Sequence, residues 1–83
     1  MKEIGGRLQS ARRQISSTQQ EVAAELRVSR QAVSAWERGV SVPNALELRL
    51  LAVRYGVSAD FLLFGVATPF KLVIEPRLQP ASL

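Results

Sequence analysis

The segment SRQAVSAWERG, residues 29–39, contains two kinds of side chain. Some can form paired hydrogen bonds, and one is large and aromatic. The guanidinium of Arg30 and the amide of Gln31 can each bond two adjacent polar atoms on a flat partner. Val33 and Trp36 stand three residues apart, which places both on one apolar face of a helix. Two interpretations are open at this point: an amphipathic helix with an ordinary solvated face, or a helix whose outer face recognises another molecule.

The composition of the 83-residue chain limits the classes of function that it can have. The chain has no cysteine and no histidine, so it lacks thiolate ligands, the usual general base and the commonest metal ligand. With only seven acidic residues and no glycine-rich phosphate loop, an enzyme has almost no support, and we expect no catalytic residue, cofactor or metal. The formal net charge of +4 favours a polyanionic partner, although charge alone is a weak indicator.

The apolar residues are distributed as in a small globular domain. They make up 47% of the chain, an ordinary value for a folded domain of this length. No run approaches the roughly 18 uninterrupted apolar residues of a membrane span. The first residues, MKEIGGRLQSARRQ, lack the apolar centre of a secretory signal. We therefore expect a cytoplasmic protein without membrane association.

Five helices are predicted between residues 4 and 65. The first follows from apolar residues that recur at helical spacing: Ile4, Leu8, Ala11 and Ile15. Each of the other four begins after a residue that can cap a helix, namely either Ser17 or Thr18 for the second, and Ser29, Asn44 and Ser58 for the others. Glu21 would complete a capping box with Thr18. The last three helices are each closed by a glycine: Gly39, Gly56 and Gly65.

The second and third predicted helices have the spacing of a helix-turn-helix. Within the segment from Gln19 to Arg38, the fourth, eighth, tenth, fifteenth and eighteenth places are apolar: Val22, Leu26, Val28, Val33 and Trp36. The fifth is Ala23, a small residue where two steeply crossing helices must approach closely. In such a unit the first helix braces the second against the major groove of DNA.

A longer segment, TQQEVAAELRVSRQAVSAWERGVSVPNALELRLLAVRYGVSADFLL, resembles the DNA-binding domain of the lambdoid phage repressor and Cro type, the XRE family. The resemblance runs from about residue 4 to residue 65. It implies an all-α, compact five-helix, lambda-repressor-like fold with a helix-turn-helix, and double-stranded DNA as the partner. One position departs: the ninth residue of the unit is usually glycine and here is Arg27. If the backbone there is left-handed, arginine costs roughly 1 kcal/mol relative to glycine.

The resemblance also implies which residues contact DNA. The base-contacting positions of the third helix correspond to Arg30, Gln31, Ser34 and Ala35. Their chemistry is suitable, because arginine can pair with guanine, glutamine with adenine, and an alanine methyl with the thymine methyl. For phosphate, the resemblance implies a contact at Gln19, at the start of the second helix. By their position and chemistry, Thr18 could donate to the same phosphate, and Arg38 and the amides around Val40 and Ser41 could contact phosphate on the other strand. The alternatives are a solvated helix face, a plain N-cap at Thr18 and an ordinary surface loop.

Other residues are assigned to the architecture. In similar domains an arginine of the first helix pairs with the glutamate after the bulky residue of the third, here Arg12 with Glu37. The predicted core comprises Ile4, Leu8, Val22, Ala23, Leu26, Val28, Val33, Trp36, Leu50 and Phe61, with Tyr55 beside them. The remaining arginines considered, Arg7, Arg13, Arg49 and Arg54, are predicted to be solvated.

Residues 66–83 differ in character from the predicted DNA-binding domain, residues 1–65. Between two prolines, Phe70, Leu72 and Ile74 alternate with Lys71, Val73 and Glu75, which predicts a short β-strand over 70–75 followed by a loose tail. A lone strand needs a partner edge, so we expect the strand to pair with its copy in a homodimer. The predicted dimer residues are Phe64, at the end of an apolar fifth helix, and Phe70, Leu72, Val73 and Ile74.

The sequence therefore predicts a homodimeric transcription regulator, more a repressor than an activator, that binds a palindromic operator through the major groove. An alternative is an antitoxin or accessory helix-turn-helix protein whose C-terminal strand binds a protein partner. The strand could also fold back on its own domain.

Overall fold

The computed structural model describes residues 2–65, which form five α-helices. These are α1 (Lys2–Gln14), α2 (Gln19–Leu26), α3 (Arg30–Arg38), α4 (Ala45–Tyr55) and α5 (Ala59–Phe64). The predicted five-helix architecture is confirmed for this part of the chain. The predicted strand at 70–75 and the tail lie outside the described residues. Within residues 2–65, no helix is both long enough and apolar enough to cross a bilayer.

The helix boundaries follow from capping groups near each end. At the start of α2, the Thr18 side chain accepts a hydrogen bond from the Glu21 N–H, and the Glu21 carboxylate accepts one from the Thr18 N–H at 2.9 Å. This backbone bond holds the pKa of Glu21 below its usual value. Asn44 and Glu47 form the same capping box at α4. The predicted N-caps are confirmed, as are the left-handed glycines that end the last three helices.

Arg27 ends α2 in the left-handed conformation, with φ 60° and ψ 43°. The turn between α2 and α3 therefore has the backbone geometry that favours glycine, although this chain carries arginine there. The turn that sets the angle between α2 and α3 therefore contains a residue with a strained backbone conformation.

Replacing Arg27 by glycine should increase the free energy of unfolding by up to about 1 kcal/mol, because glycine adopts positive φ without a Cβ penalty. Urea unfolding followed by circular dichroism measures the change. Ala24→Gly, at an exposed site further inside α2, is the matched control and should lower stability by a similar amount. A loss of stability in Arg27→Gly would contradict the argument.

The core is formed by residues from all five helices. Its buried hydrophobic members are Ile4, Leu8, Ala11, Val22, Ala23, Val33, Trp36, Leu51, Ala52, Tyr55 and Leu62. Three of the predicted core residues are partly buried against this cluster: Leu26, Val28 and Phe61. Helix α1 packs on α3 and α5, α2 packs on α3, and α4 packs on α5. Trp36 is thus held in the centre of the fold.

The assignment of Leu50 to the core is wrong, because its side chain is 37% exposed. Helix α4 is apolar around most of its circumference, so its sequence does not indicate which face is buried. The face that packs inward carries Leu51 and Tyr55, and Leu50 lies about 100° away from Leu51 on the helix. Ile15, predicted as part of the α1 stripe, is likewise 38% exposed because it lies just beyond the end of α1.

Two of the arginines predicted to be solvated make structural contacts instead. The Arg7 guanidinium donates to the carbonyl oxygens of Leu62 and Leu63, both at 2.9 Å, and so satisfies the last turn of α5. Arg54 pairs with the Glu25 carboxylate and joins α4 to α2. Both contacts link residues more than 25 positions apart.

Candidate nucleic-acid interface

Helix α3 presents two different faces. Val33 and Trp36 are 1% and 5% exposed and belong to the core. Arg30 and Gln31, in the first turn of the same helix, are exposed. Because the buried face holds the helix against α1 and α2, its polar first turn projects outward at a fixed rotation.

A buried ion pair joins α1 to the C-terminal half of α3. The Arg12 guanidinium donates to both oxygens of the Glu37 carboxylate, from Nε to Oε2 at 2.7 Å and from Nη2 to Oε1 at 3.0 Å. Its third nitrogen donates to the Ser17 carbonyl at 2.9 Å. The hydrogen bond with Glu37 raises the pKa of Arg12 despite the opposing effect of burial. This pair connects α3, α1 and the loop that leads into α2.

Tyr55 from α4 is also buried near this charged cluster. Loss of solvent raises the pKa of Tyr55 to about 12, and the negative charge of Glu37 acts in the same direction. The phenol is therefore neutral at physiological pH.

Gln19 extends the buried pair toward the outer surface. Its Nε2 donates to Glu37 Oε1 at 3.0 Å, and its Oε1 accepts a longer, 3.3 Å hydrogen bond from Arg30 Nη1. A continuous series of hydrogen bonds thus runs from the buried pair to the exposed guanidinium. Sequence reasoning assigned Gln19 to phosphate alone and missed this contact, because the two bonded residues are 18 and 11 positions away in the chain.

The remaining predicted base-contacting residues lie on the same side of α3. Ser34 and Ala35 are half-buried, and the Ser34 hydroxyl accepts a hydrogen bond from Arg38 Nε at 3.2 Å. The Gln31 side chain makes no hydrogen bond with another residue of the range 2–65. A molecule lying along this helix would therefore meet both hydrogen-bond donors and acceptors. The Arg30 guanidinium donates, whereas the Gln31 amide and the Ser34 hydroxyl can each donate and accept.

The predicted phosphate-contacting residues flank this surface. Some of their hydrogen-bonding groups are already bonded within the domain. Thr18 is the N-cap of α2, and its N–H is occupied by Glu21. The amides of Val40 and Ser41 donate to the Ala35 carbonyl at 2.9 and 3.4 Å, where they close the end of α3. The groups left to meet a phosphate are the side chains of Gln19, Arg38 and Ser41 and the hydroxyl of Thr18.

The two packed helices, the tight turn between them and the polar outer side of the second helix define a helix-turn-helix protein. The family model described as "Helix-turn-helix" matches residues 8–62. The chain belongs to this family, and its helix-turn-helix is of the XRE type.

Curated relatives carry related names. The chain is 38% identical over 63 residues to the HTH-type transcriptional activator BcrR of Enterococcus faecalis. It is 37% identical over 62 residues to the HTH-type transcriptional regulator DicA of Escherichia coli (strain K12). The matches cover 76% and 75% of this chain but only 31% and 46% of these relatives. The chain thus matches less than half the length of either relative.

Proposed function

We propose that the protein is a sequence-specific transcription regulator that binds double-stranded DNA through α3. The observation that carries the proposal is the exposure of Arg30 and Gln31 on a helix whose opposite face is locked into the core. A helix in this arrangement fits the major groove, where arginine and glutamine distinguish guanine and adenine by paired hydrogen bonds. Ser34 and Ala35 lie further along the same helix and would contact neighbouring base edges.

Phosphate contacts would orient the helix in the groove. Thr18 and Gln19 precede α3 in the chain, Arg38 is its last residue, and Ser41 follows it. The first turn of α2 adds the positive end of a helix dipole, although the Glu21 carboxylate offsets part of it. Such contacts fix position and carry no sequence information.

The proposed active form is a homodimer on a palindromic operator. A single α3 covers only a few base pairs, whereas two copies related by a two-fold axis contact half-sites about 34 Å apart. Repression is the proposed effect, because a dimer that occupies an operator can block other proteins by its presence alone. One relative is named an activator. Transcription in vitro from an operator-bearing template would therefore distinguish repression from activation.

Replacing Arg30 by alanine should weaken binding to the preferred operator by about 1–3 kcal/mol and relax the preference at one base position. Operators would be obtained by selection from random DNA, and affinities measured by fluorescence anisotropy. Arg49→Ala, an exposed arginine of α4, removes the same charge and should have a smaller effect that is equal on all sequences.

A uniform loss in Arg30→Ala across all sequences would mean that Arg30 contacts only phosphate, which would contradict its proposed role. The logarithm of the affinity should also fall linearly with the logarithm of the salt concentration. Affinity independent of salt would argue against DNA as the partner.

Removing residues after Gly65 should convert the dimer to a monomer at micromolar concentration if the C-terminal segment contributes to the dimer interface. Analytical ultracentrifugation of the truncated and the 83-residue chains measures the change. Equal dimer affinity in both proteins would show that the segment is dispensable and would leave the exposed end of α5, with Phe64, as the dimer surface.

A further inference from the structure

Helix α4 carries an exposed apolar surface that the core does not use. Leu46, Leu50 and Val53 are 61%, 37% and 72% exposed, and their spacing of four and three residues places them on one face. We call these three residues the α4 stripe. They lie apart from the buried face formed by Leu51 and Tyr55. Three aliphatic side chains in one row form a contiguous apolar surface and are not singly scattered surface residues.

A second copy of the domain is a poor occupant for the α4 stripe on its own. Stable interfaces bury about 800 Å² on each partner, and three aliphatic side chains are far short of that area. The stripe suits a short segment that is already tethered, since a tether removes most of the entropy cost of association.

The chain itself contains a segment with matching apolar spacing. Phe70, Leu72 and Ile74 alternate with Lys71, Val73 and Glu75, so an extended chain has one wholly apolar face. That face is about 13 Å long at 3.3 Å per residue. The α4 stripe spans about 10 Å at 1.5 Å per helical residue. The two rows of side chains are therefore similar in length.

The connection to this segment begins at the end of α5. Helix α5 packs against α4, and Arg7 holds the last turn of α5 through the Leu62 and Leu63 carbonyls. The chain continues from Gly65, and five residues span up to about 17 Å before Phe70.

We propose that residues 70–74 dock on the α4 stripe of their own chain, with Phe70, Leu72 and Ile74 against Leu46, Leu50 and Val53. The outer edge of the docked segment remains available to pair with the same segment of a second copy, a step that rests on the proposed dimer. A two-stranded ribbon is marginal in water by itself and needs packing against a helix, which the stripe supplies. The α4 stripe thereby supports the segment that forms the dimer interface, without contacting the second copy itself.

The absence of cysteine from the chain makes a disulfide test possible without background. The test variant carries Leu50→Cys with Leu72→Cys, and the matched control carries Leu50→Cys with Lys71→Cys. A disulfide needs Cβ atoms within about 4.5 Å, so the test pair should oxidise about fivefold faster than the control, whose second cysteine faces away. Non-reducing electrophoresis and peptide mass spectrometry separate bonds within a chain from bonds between chains.

A disulfide within one chain, formed preferentially by the test pair, supports the proposal. Equal rates in the two pairs, a disulfide between chains, or no disulfide would overturn it. A second measurement uses the unaltered protein: nuclear Overhauser contacts between the Val53 methyls and the Phe70 ring or Ile74 methyls are expected, and their absence would overturn the docking. Neither readout requires DNA or a dimer, so failure of the operator experiments leaves this result standing, and the reverse also holds.

Discussion

Replacing Glu37 by alanine is expected to lower the free energy of unfolding by about 3 kcal/mol, the lower end of the range for a buried pair that loses one partner. The Arg12 side chain is only 11% exposed, and two of its nitrogens would lose their acceptors while its charge remained. Gln19 would lose the acceptor of its Nε2 in the same change. For a domain of this size, such a loss is a large part of the total stability.

Urea unfolding of Glu37→Ala measures this effect against Glu25→Ala. Glu25 also pairs with an arginine, Arg54, but it is 52% exposed, so the control should cost less than about 1 kcal/mol. The double variant Arg12→Met with Glu37→Leu should regain most of the stability, because no unpaired charge is left in the interior. Equal losses in Glu37→Ala and Glu25→Ala would show that burial does not strengthen the inner pair.

Replacing Gly5 by alanine is expected to lower the free energy of unfolding by about 1–3 kcal/mol, as overpacking does in well-packed interiors. A Cβ at Gly5 would lie 2.5 Å from the Glu37 carbonyl oxygen and 2.6 Å from that of Trp36. Both are backbone atoms, so α1 or α3 must shift to accept the methyl group. Helix propensity alone predicts the opposite sign, because alanine is about 1 kcal/mol better than glycine inside a helix.

The next residue supplies the matched control. A Cβ at Gly6 would meet nothing within 4 Å, so Gly6→Ala should stabilise the protein by up to about 1 kcal/mol. Thermal and urea unfolding of the two variants compare packing with propensity at adjacent positions. Gly5→Ala should also reduce operator affinity more than Gly6→Ala does, since a shift of α1 moves α3. Stabilisation by both substitutions would contradict the close approach of the two helices.

Much of the fold could be predicted because its signals are local. A capping serine, threonine or asparagine and a terminating glycine act within one helical turn, so the ends of α2, α3, α4 and α5 are visible in the sequence. The left-handed residue at Arg27 could also be located, because in similar domains this position of the three-residue turn is usually glycine. The outward placement of Arg30 and Gln31 followed from the apolar spacing of Val33 and Trp36 on the same helix.

The features that were missed depend on residues distant in the chain. Apolar residues surround most of α4, and only its packing in the folded domain selects Leu51 over Leu50 for burial. Arg7 was predicted to be solvated because its acceptors, at the end of α5, lie 55 and 56 residues away in the chain.

The sequence by itself determined the helices, their caps, the helix-turn-helix and the family, because short-range hydrogen bonds and the 3.6-residue period are encoded within a few neighbouring residues. Only the tertiary structure decided that Gly5 admits the α3 backbone and that Gln19 links Glu37 to Arg30. These contacts exist because packing brings distant segments within hydrogen-bond or van der Waals distance, and no local pattern records which segments will meet.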